Sequence, residues 1–209
     1  MKPILFSTPM VQAILDGRKT QTRRIIIKED LKDIYDSIDF MKMEHFPDKS
    51  YRAIFSTDER PGTVKSKYQV GDILWVRETW QHTKCLNINF EDENYGYVYK
   101  ADGQPWEDHE GWTWKPSIFM PREAARLFLK VTNVIVERLN DMDEWDAVRE
   151  GVDFKVVPNQ YYFNYLTDEF SERTASQSFE TLWQKLNGKE SLESNPWVWV
   201  YEFEKIEKP

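Results

Sequence analysis

The apolar positions of the chain fall into short runs of two periods. Met10, Val11, Ile14 and Leu15 recur at helical spacing between a capping Thr8, a first-turn Pro9 and a terminating Gly17, which predicts a helix over 8–17. The β-branched stretch from Thr20 to Ile27 predicts a strand. Gly71-Asp72 marks a turn before a strand Ile73–Arg77, and Leu127 to Leu139 alternates as a long strand. Pro196 introduces a last strand, Trp197 to Glu204, apolar on both faces and therefore central. A second helix is predicted from Asp141, with Glu144 three residues on as in a capping box, to a stop at Gly151. A third covers Ala175 to Leu186, with Phe179, Leu182, Trp183 and Leu186 on one face, and ends at Asn187-Gly188. Tyr95 to Lys100 reads as a strand and Pro121 to Ala125 as one helical turn.

Between these elements lie stretches of mixed charge and weak period. Residues 28–67 read as an insertion with a helix near Leu31–Phe40 and a loop ending at Arg60-Pro61-Gly62. Residues 81–117 are a second excursion, in which Trp106, Trp112 and Trp114 fold the insertion onto the core. There is no repeat and no low-complexity linker, so 1–209 reads as one domain. The order of helices and short strands predicts an α+β domain around a small, mostly antiparallel sheet or barrel.

Composition narrows the partners. The chain is 40% hydrophobic and 15% aromatic, with 9 Trp, which excludes a disordered chain. Its net charge of -8 and pI near 5.1 argue against non-specific coating of duplex DNA, yet leave room for a local basic site. A single cysteine, Cys85, excludes a disulfide within the chain and a cysteine zinc site, and it reads as structural. His45, His82 and His109 lack metal-ligand spacing, so neither a metal nor another cofactor is expected. No apolar run reaches membrane-spanning length and the N-terminal one is too short for a signal peptide, so the expected location is cytoplasmic, with no membrane partner.

Chemistry concentrates in Gly17-Arg18-Lys19-Thr20-Gln21-Thr22-Arg23-Arg24, where four of the seven residues after the glycine are basic. In an extended strand Thr20, Thr22 and Arg24 point one way and Gln21 and Arg23 the other, while Lys19 at the turn can swing toward Thr22. A lysine beside a threonine hydroxyl makes a base and nucleophile pair if the lysine is neutral, and nearby cations and burial both favour the neutral form. The plainer reading is a solvated basic turn with threonines suited to a strand.

Gly17-Arg18-Lys19-Thr20-x-Thr22-x-Arg24 resembles the N-terminal signature of ASCH domains, which share the PUA-like β-barrel fold. Gly71-Asp72-Ile73-Leu74-Trp75-Val76, the helix from Asp141 to Val152, and Trp199-Val200-Tyr201-Glu202-Phe203 resemble further family segments in family order. Arg77-Glu78-Thr79-Trp80, Trp114-Lys115-Pro116-Ser117 and Met120-Pro121-Arg122 are similar to stretches of longer members encoded by phages and prophages. The resemblance implies a PUA-like barrel of about 5–7 mostly antiparallel strands with flanking helices, insertions at about 28–67, 81–120 and 153–173, and a bacterial or phage-infected host cell.

Small ASCH amidohydrolases remove the acyl group from acetylcytidine with a Lys, Thr and Glu set. By motif these fall on Lys19, Thr22 and Glu150, and the family arginine on Arg24; Arg23 stands where the small enzymes carry an apolar residue. Lys19 would take the proton from Thr22, Thr22 would attack the amide, Glu150 would position Lys19 or handle a proton, and Arg24 or backbone N–H groups would meet the oxyanion. Thr20, Arg77, Glu78, Trp80 and Arg122 are candidate substrate-binding residues. Their plainer readings are a strand threonine, a surface ion pair of Arg77 with Glu78, a core tryptophan and a solvated arginine; Trp75 reads as core. The expected ligand is a modified nucleoside or short single-stranded RNA. A non-catalytic RNA-binding module and a ribonuclease remain alternatives.

Overall fold

A computed structural model describes residues 1–26, 39–45, 50–56, 62–82, 96–103, 113–156 and 159–209, the first three residues of the second stretch by their backbone alone. Strands β1 (Lys2–Leu5), β2 (Gln21–Ile25), β6 (Ile73–Arg77), β9 (Phe128–Arg138) and β13 (Trp197–Ile206) form one five-stranded sheet in the order β1-β6-β9-β13-β2. Its pairs are antiparallel except β1 with β6, which run parallel. The central place of β13 follows from its residues: Val198, Trp199, Val200 and Tyr201 are all buried, so both faces are covered.

The fold class is α+β, as expected. The sheet, however, is open: β1 and β2 are its two edges, and no ladder joins them among the described residues. The remaining strands pair locally instead of closing it. β3 (Asp39–His45), β4 (Tyr51–Ser56) and β5 (Gly62–Lys65) form a three-stranded antiparallel sheet, β7 (Trp80–His82) and β8 (Tyr97–Tyr99) a ribbon, and β10 (Phe154–Val156), β11 (Gln160–Asn164) and β12 (Glu169–Glu172) another antiparallel trio. Residues 31–38 of the expected helix near Leu31–Phe40 lie outside the described residues, and Asp39 and Phe40 open β3 instead. Nor is that segment peripheral, since Ala53, Phe55 and Val64 join the main core and Phe55 meets Trp197 edge-on at 5.9 Å. Trp106, Trp112, Cys85 and His109 lie outside the described residues.

Four α-helices occur among the described residues. In α1 (Thr8–Leu15), Ser7 and not Thr8 holds the N-cap position, and Pro9 sits in the first turn. The second helix, α2 (Glu144–Arg149), is capped by Asp143, two residues beyond the expected Asp141. Asp143 accepts from the Asp146 N–H, while Asp141 closes the preceding 3₁₀ turn. The sequence carries the same acidic box twice, and the later one wins. The amphipathic α3 (Ala175–Asn187) is capped by Thr174, buries Phe179, Leu182 and Trp183, and packs on α2 and β11; α4 (Lys189–Glu193) follows at once. No helix among the described residues is long and apolar enough to cross a membrane.

Candidate active site

The end of α1, the start of β2 and the end of α2 are fastened together. Arg18 and Lys19 donate their backbone N–H groups to Ala13 O at 2.9 and 3.0 Å, and Thr20 N–H reaches Arg149 O at 2.9 Å. Gly151 follows α2 with φ +84, and a Cβ there would lie 2.7 Å from Lys19 Cβ and 2.8 Å from Ala13 Cβ. The glycine is therefore required twice, by its left-handed backbone and by the close approach of Lys19. This brings Glu150, the C-cap of α2, against Lys19 from 131 residues away.

Lys19, Thr22, Arg23 and Glu150 are all buried, Lys19 at 4% exposure and Glu150 at 3%. Lys19 Nζ donates to Glu150 O at 2.7 Å and to Glu150 Oε2 at 2.8 Å. The other carboxylate oxygen, Oε1, accepts from Arg23 at 3.1 Å. Arg23 also meets Glu137 at 2.6 Å and Asp146 at 3.1 Å, so three carboxylates surround one guanidinium. Burial opposes the Arg23 charge, but Glu150, Glu137 and Asp146 outweigh it and hold its pKa above the ordinary value. For Lys19 the balance goes the other way. Burial lowers its pKa, Glu150 opposes the shift, and Arg24 and Arg23 add to it, so the net direction is down.

Two N–H groups of Lys19 are committed to Glu150. In the neutral amine that leaves the nitrogen lone pair free to accept a proton. Thr22 has no hydrogen bond to its hydroxyl among the described residues and lines the same cavity. Lys19 and Thr22 are not hydrogen-bonded to each other here, so proton transfer requires the lysine or the substrate-bound threonine to turn.

Arg24, next along β2, points to the other face and has the opposite fate. It donates to Leu5 O at 2.9 Å, lies over the Phe6 ring at 5.4 Å, and forms no ion pair among the described residues. Nearby hydroxyls cannot serve as free donors. Tyr68 donates to Pro3 O, and Ser66 donates to Tyr68 O, which leaves Tyr201 to donate to Ser66. Burial raises both phenols, that of Tyr68 to about 12, so they stay neutral.

A cavity of about 890 Å³ opens at β2, an edge strand of the sheet among the described residues. Its lining mixes polar groups, among them Lys19, Thr22, Glu150, Arg24 and Lys67, with apolar side chains such as Ile25, Phe179, Leu182, Trp183 and Leu186. The size and the mixture of an apolar wall with a few convergent polar groups suit a small-molecule site. Among the described residues no group of three or more His, Cys, Asp or Glu is placed to hold a metal ion.

The remaining sequence candidates lie elsewhere. Thr20 is exposed, uses its backbone to join β13 to the end of α2, and does not line the cavity. Arg77 lies 5.4 Å from the Trp75 ring and donates to Ile118 O. Glu78 pairs with Arg126 through two bonds of 2.9 Å, not with Arg77, and is buried. Trp80 packs with Trp75, Met120 and Phe128 in a second apolar cluster. Arg122 is exposed and borders a separate depression of about 300 Å³. The stretch 77–80 contributes only Thr79 to the cavity wall.

Arg23, marked in the sequence only by standing where the small enzymes carry an apolar residue, is held by three carboxylates, and Phe6, Lys67, Tyr68 and Tyr201 join the cavity without having been candidates. Strand alternation did place Arg23 opposite Thr22, which is the signal that a different set of partners awaited it. Comparison of the chain with protein-family models, curated proteins and solved structures gives no match.

Proposed function

We propose that the protein is an amidohydrolase acting on an acylated nucleoside or base, with Lys19 as base, Thr22 as nucleophile and Glu150 as the group that orients Lys19. The single observation that carries this reading is the convergence of Lys19, Thr22 and Glu150 in one cavity, with Glu150 gripping a lysine whose pKa is lowered. A buried lysine of lowered pKa beside an unengaged hydroxyl is the arrangement that activates a threonine.

In the proposed cycle Lys19 Nζ accepts the Thr22 Oγ1 proton as that oxygen bonds to the amide carbonyl carbon. The tetrahedral intermediate collapses, the C–N bond breaks, and the amine leaves with the proton from Lys19. Water, deprotonated by Lys19, then attacks the Thr22 ester; the carbonyl C–Oγ1 bond breaks, Lys19 returns the proton to Thr22 Oγ1, and the carboxylic acid is released. The oxyanion is met by Arg24 or by backbone N–H groups of β2. Ile26 N–H to Trp197 O and Phe203 N–H to Thr20 O fix the pairing of β2 with β13, and the alternation turns the Arg23 peptide toward the free edge.

The ASCH relationship belongs to the same proposal. The ordered motifs support it, as does the catalytic set in one cavity. A PUA-like barrel is the finer form of the fold, with the open five-stranded sheet as its core and the Arg24 to Leu5 bond spanning its two edge strands. The test compares turnover of N4-acetylcytidine by wild type and Thr22→Ala. A loss of at least about a hundredfold is expected for removal of a nucleophile, and equal rates would sink the assignment.

A further inference from the structure

We infer that the cavity holds a phosphate group beside the reacting amide, so that its substrate is a nucleotide unit and not a free nucleoside. This rests on the amidohydrolase reading and names the substrate class of that site. The cations of the cavity differ in their partners. Lys19 is matched by Glu150, and Arg23 by Glu150, Glu137 and Asp146. Arg24 faces the same cavity with one donor on a carbonyl and no ion pair among the described residues, Glu150 acting on its charge only through space. Lys67, exposed at the wall, likewise forms no ion pair there; its ammonium rests 5.4 Å from the Tyr68 ring. A partly buried guanidinium with most of its five N–H groups unspent favours an anionic partner with several acceptor oxygens.

The surroundings favour a resident anion over a transient one. Tyr68, Tyr201 and Ser66 spend their protons on one another and on backbone carbonyls, so these hydroxyls do not compete with Arg24 and Lys67 for an anion; Lys65 also borders the cavity. Arg24 is two residues along the strand from Thr22, roughly 7 Å at the strand rise, and its guanidinium is held on the Leu5–Phe6 side. That spacing suits a group beside the scissile amide and leaves the oxyanion to backbone N–H groups. The chain as a whole carries -8, so a local cationic wall has no general electrostatic reason to exist.

The test measures binding to the full chain of cytidine, cytidine 5′-phosphate, cytidine 3′-phosphate, a short oligocytidylate and inorganic phosphate, then turnover of the N4-acetyl forms. Phosphorylated ligands are expected to bind about tenfold or more tightly than cytidine, with inorganic phosphate competing, as charge-assisted bonds imply. The gain should shrink toward none in Arg24→Gln and fall in Lys67→Ala, an exposed position where folding is not at stake. A gain with either monophosphate identifies a mononucleotide, and a gain with the oligonucleotide alone identifies an RNA backbone phosphate. Equal binding of cytidine and every phosphorylated form, or a gain untouched by both substitutions, overturns the inference. Acetylcytidine turned over with no advantage from phosphate leaves the enzyme reading standing and removes the phosphate site. Tight nucleotide binding without any turnover does the reverse.

Discussion

Two adjacent arginines carry much of the site's logic. Arg23 and Arg24 sit on opposite faces of one edge strand; the first is saturated by carboxylates and the second by none. Their alternation is legible from sequence, because period two follows from the strand. Their partners are not, since Glu137, Asp146 and Glu150 arrive from β9 and α2 more than a hundred residues away. Replacing Arg23 by Leu strands three acids against a buried site, and a loss of about 3–5 kcal/mol of stability is expected in denaturant melts, the range for removing one partner of a buried pair. An unchanged midpoint would show that the network is dispensable. Lys19 makes a separate prediction. It must be neutral to act, so the rate should rise with pH through a midpoint below its ordinary value of 10.5. Glu150 raises that pKa, so Glu150→Gln should move the midpoint of the residual activity to lower pH; a shift upward would contradict the assigned coupling.

Elements, not single residues, set the distance between Lys19 and Glu150. The two helix ends meet because Gly151 leaves room for Lys19, and Gly151→Ala should displace the lysine through contacts of 2.7 and 2.8 Å. We expect this variant to lose activity and at least about 1 kcal/mol of stability, from the left-handed backbone alone; full activity would mean that the approach of α2 does not matter. The glycine stops at 17 and 151, the long β9 and the central β13 were all readable, because each depends on local chemistry or on a sustained apolar run. The β3–β5 and β10–β12 sheets were not. The β10–β12 strands span 3 to 5 residues and are exposed or half-buried throughout, and the β3–β5 stretch mixes charged residues with its apolar ones, so period does not distinguish either from a loop. The cap of α2 was misplaced because Asp141 and Asp143 each begin an acidic box; Asp141 closes the preceding 3₁₀ turn instead, and Glu144, which would complete its box, accepts from the Ala175 and Ser176 N–H groups of α3. Likewise Arg77, Glu78 and Trp80 sit near the motif in sequence yet serve Trp75, Arg126 and a second apolar cluster.

At the scale of the whole molecule, an acidic body surrounds one cavity with a cationic wall. Such a body repels a long polyanion except where the wall faces it. Short single-stranded RNA should therefore bind with a weak salt dependence, a slope of roughly -1.4 in log K against log salt for two phosphate contacts at about -0.7 each. A slope several times steeper would indicate an extended groove and favour the RNA-binding reading over the pocket. The open sheet fits a pocket of this kind: among the described residues β2 is an edge strand, and its Thr22, Arg23 and Arg24 line one cavity. The proposed cycle passes through an acyl-Thr22 enzyme, which intact-protein mass spectrometry during turnover of N4-acetylcytidine or its phosphate would detect. The account predicts a transient mass increase of one acetyl group on the wild-type chain, located at Thr22 and absent in Thr22→Ala. Turnover without any adduct at Thr22, or equal turnover by Thr22→Ala, would contradict it.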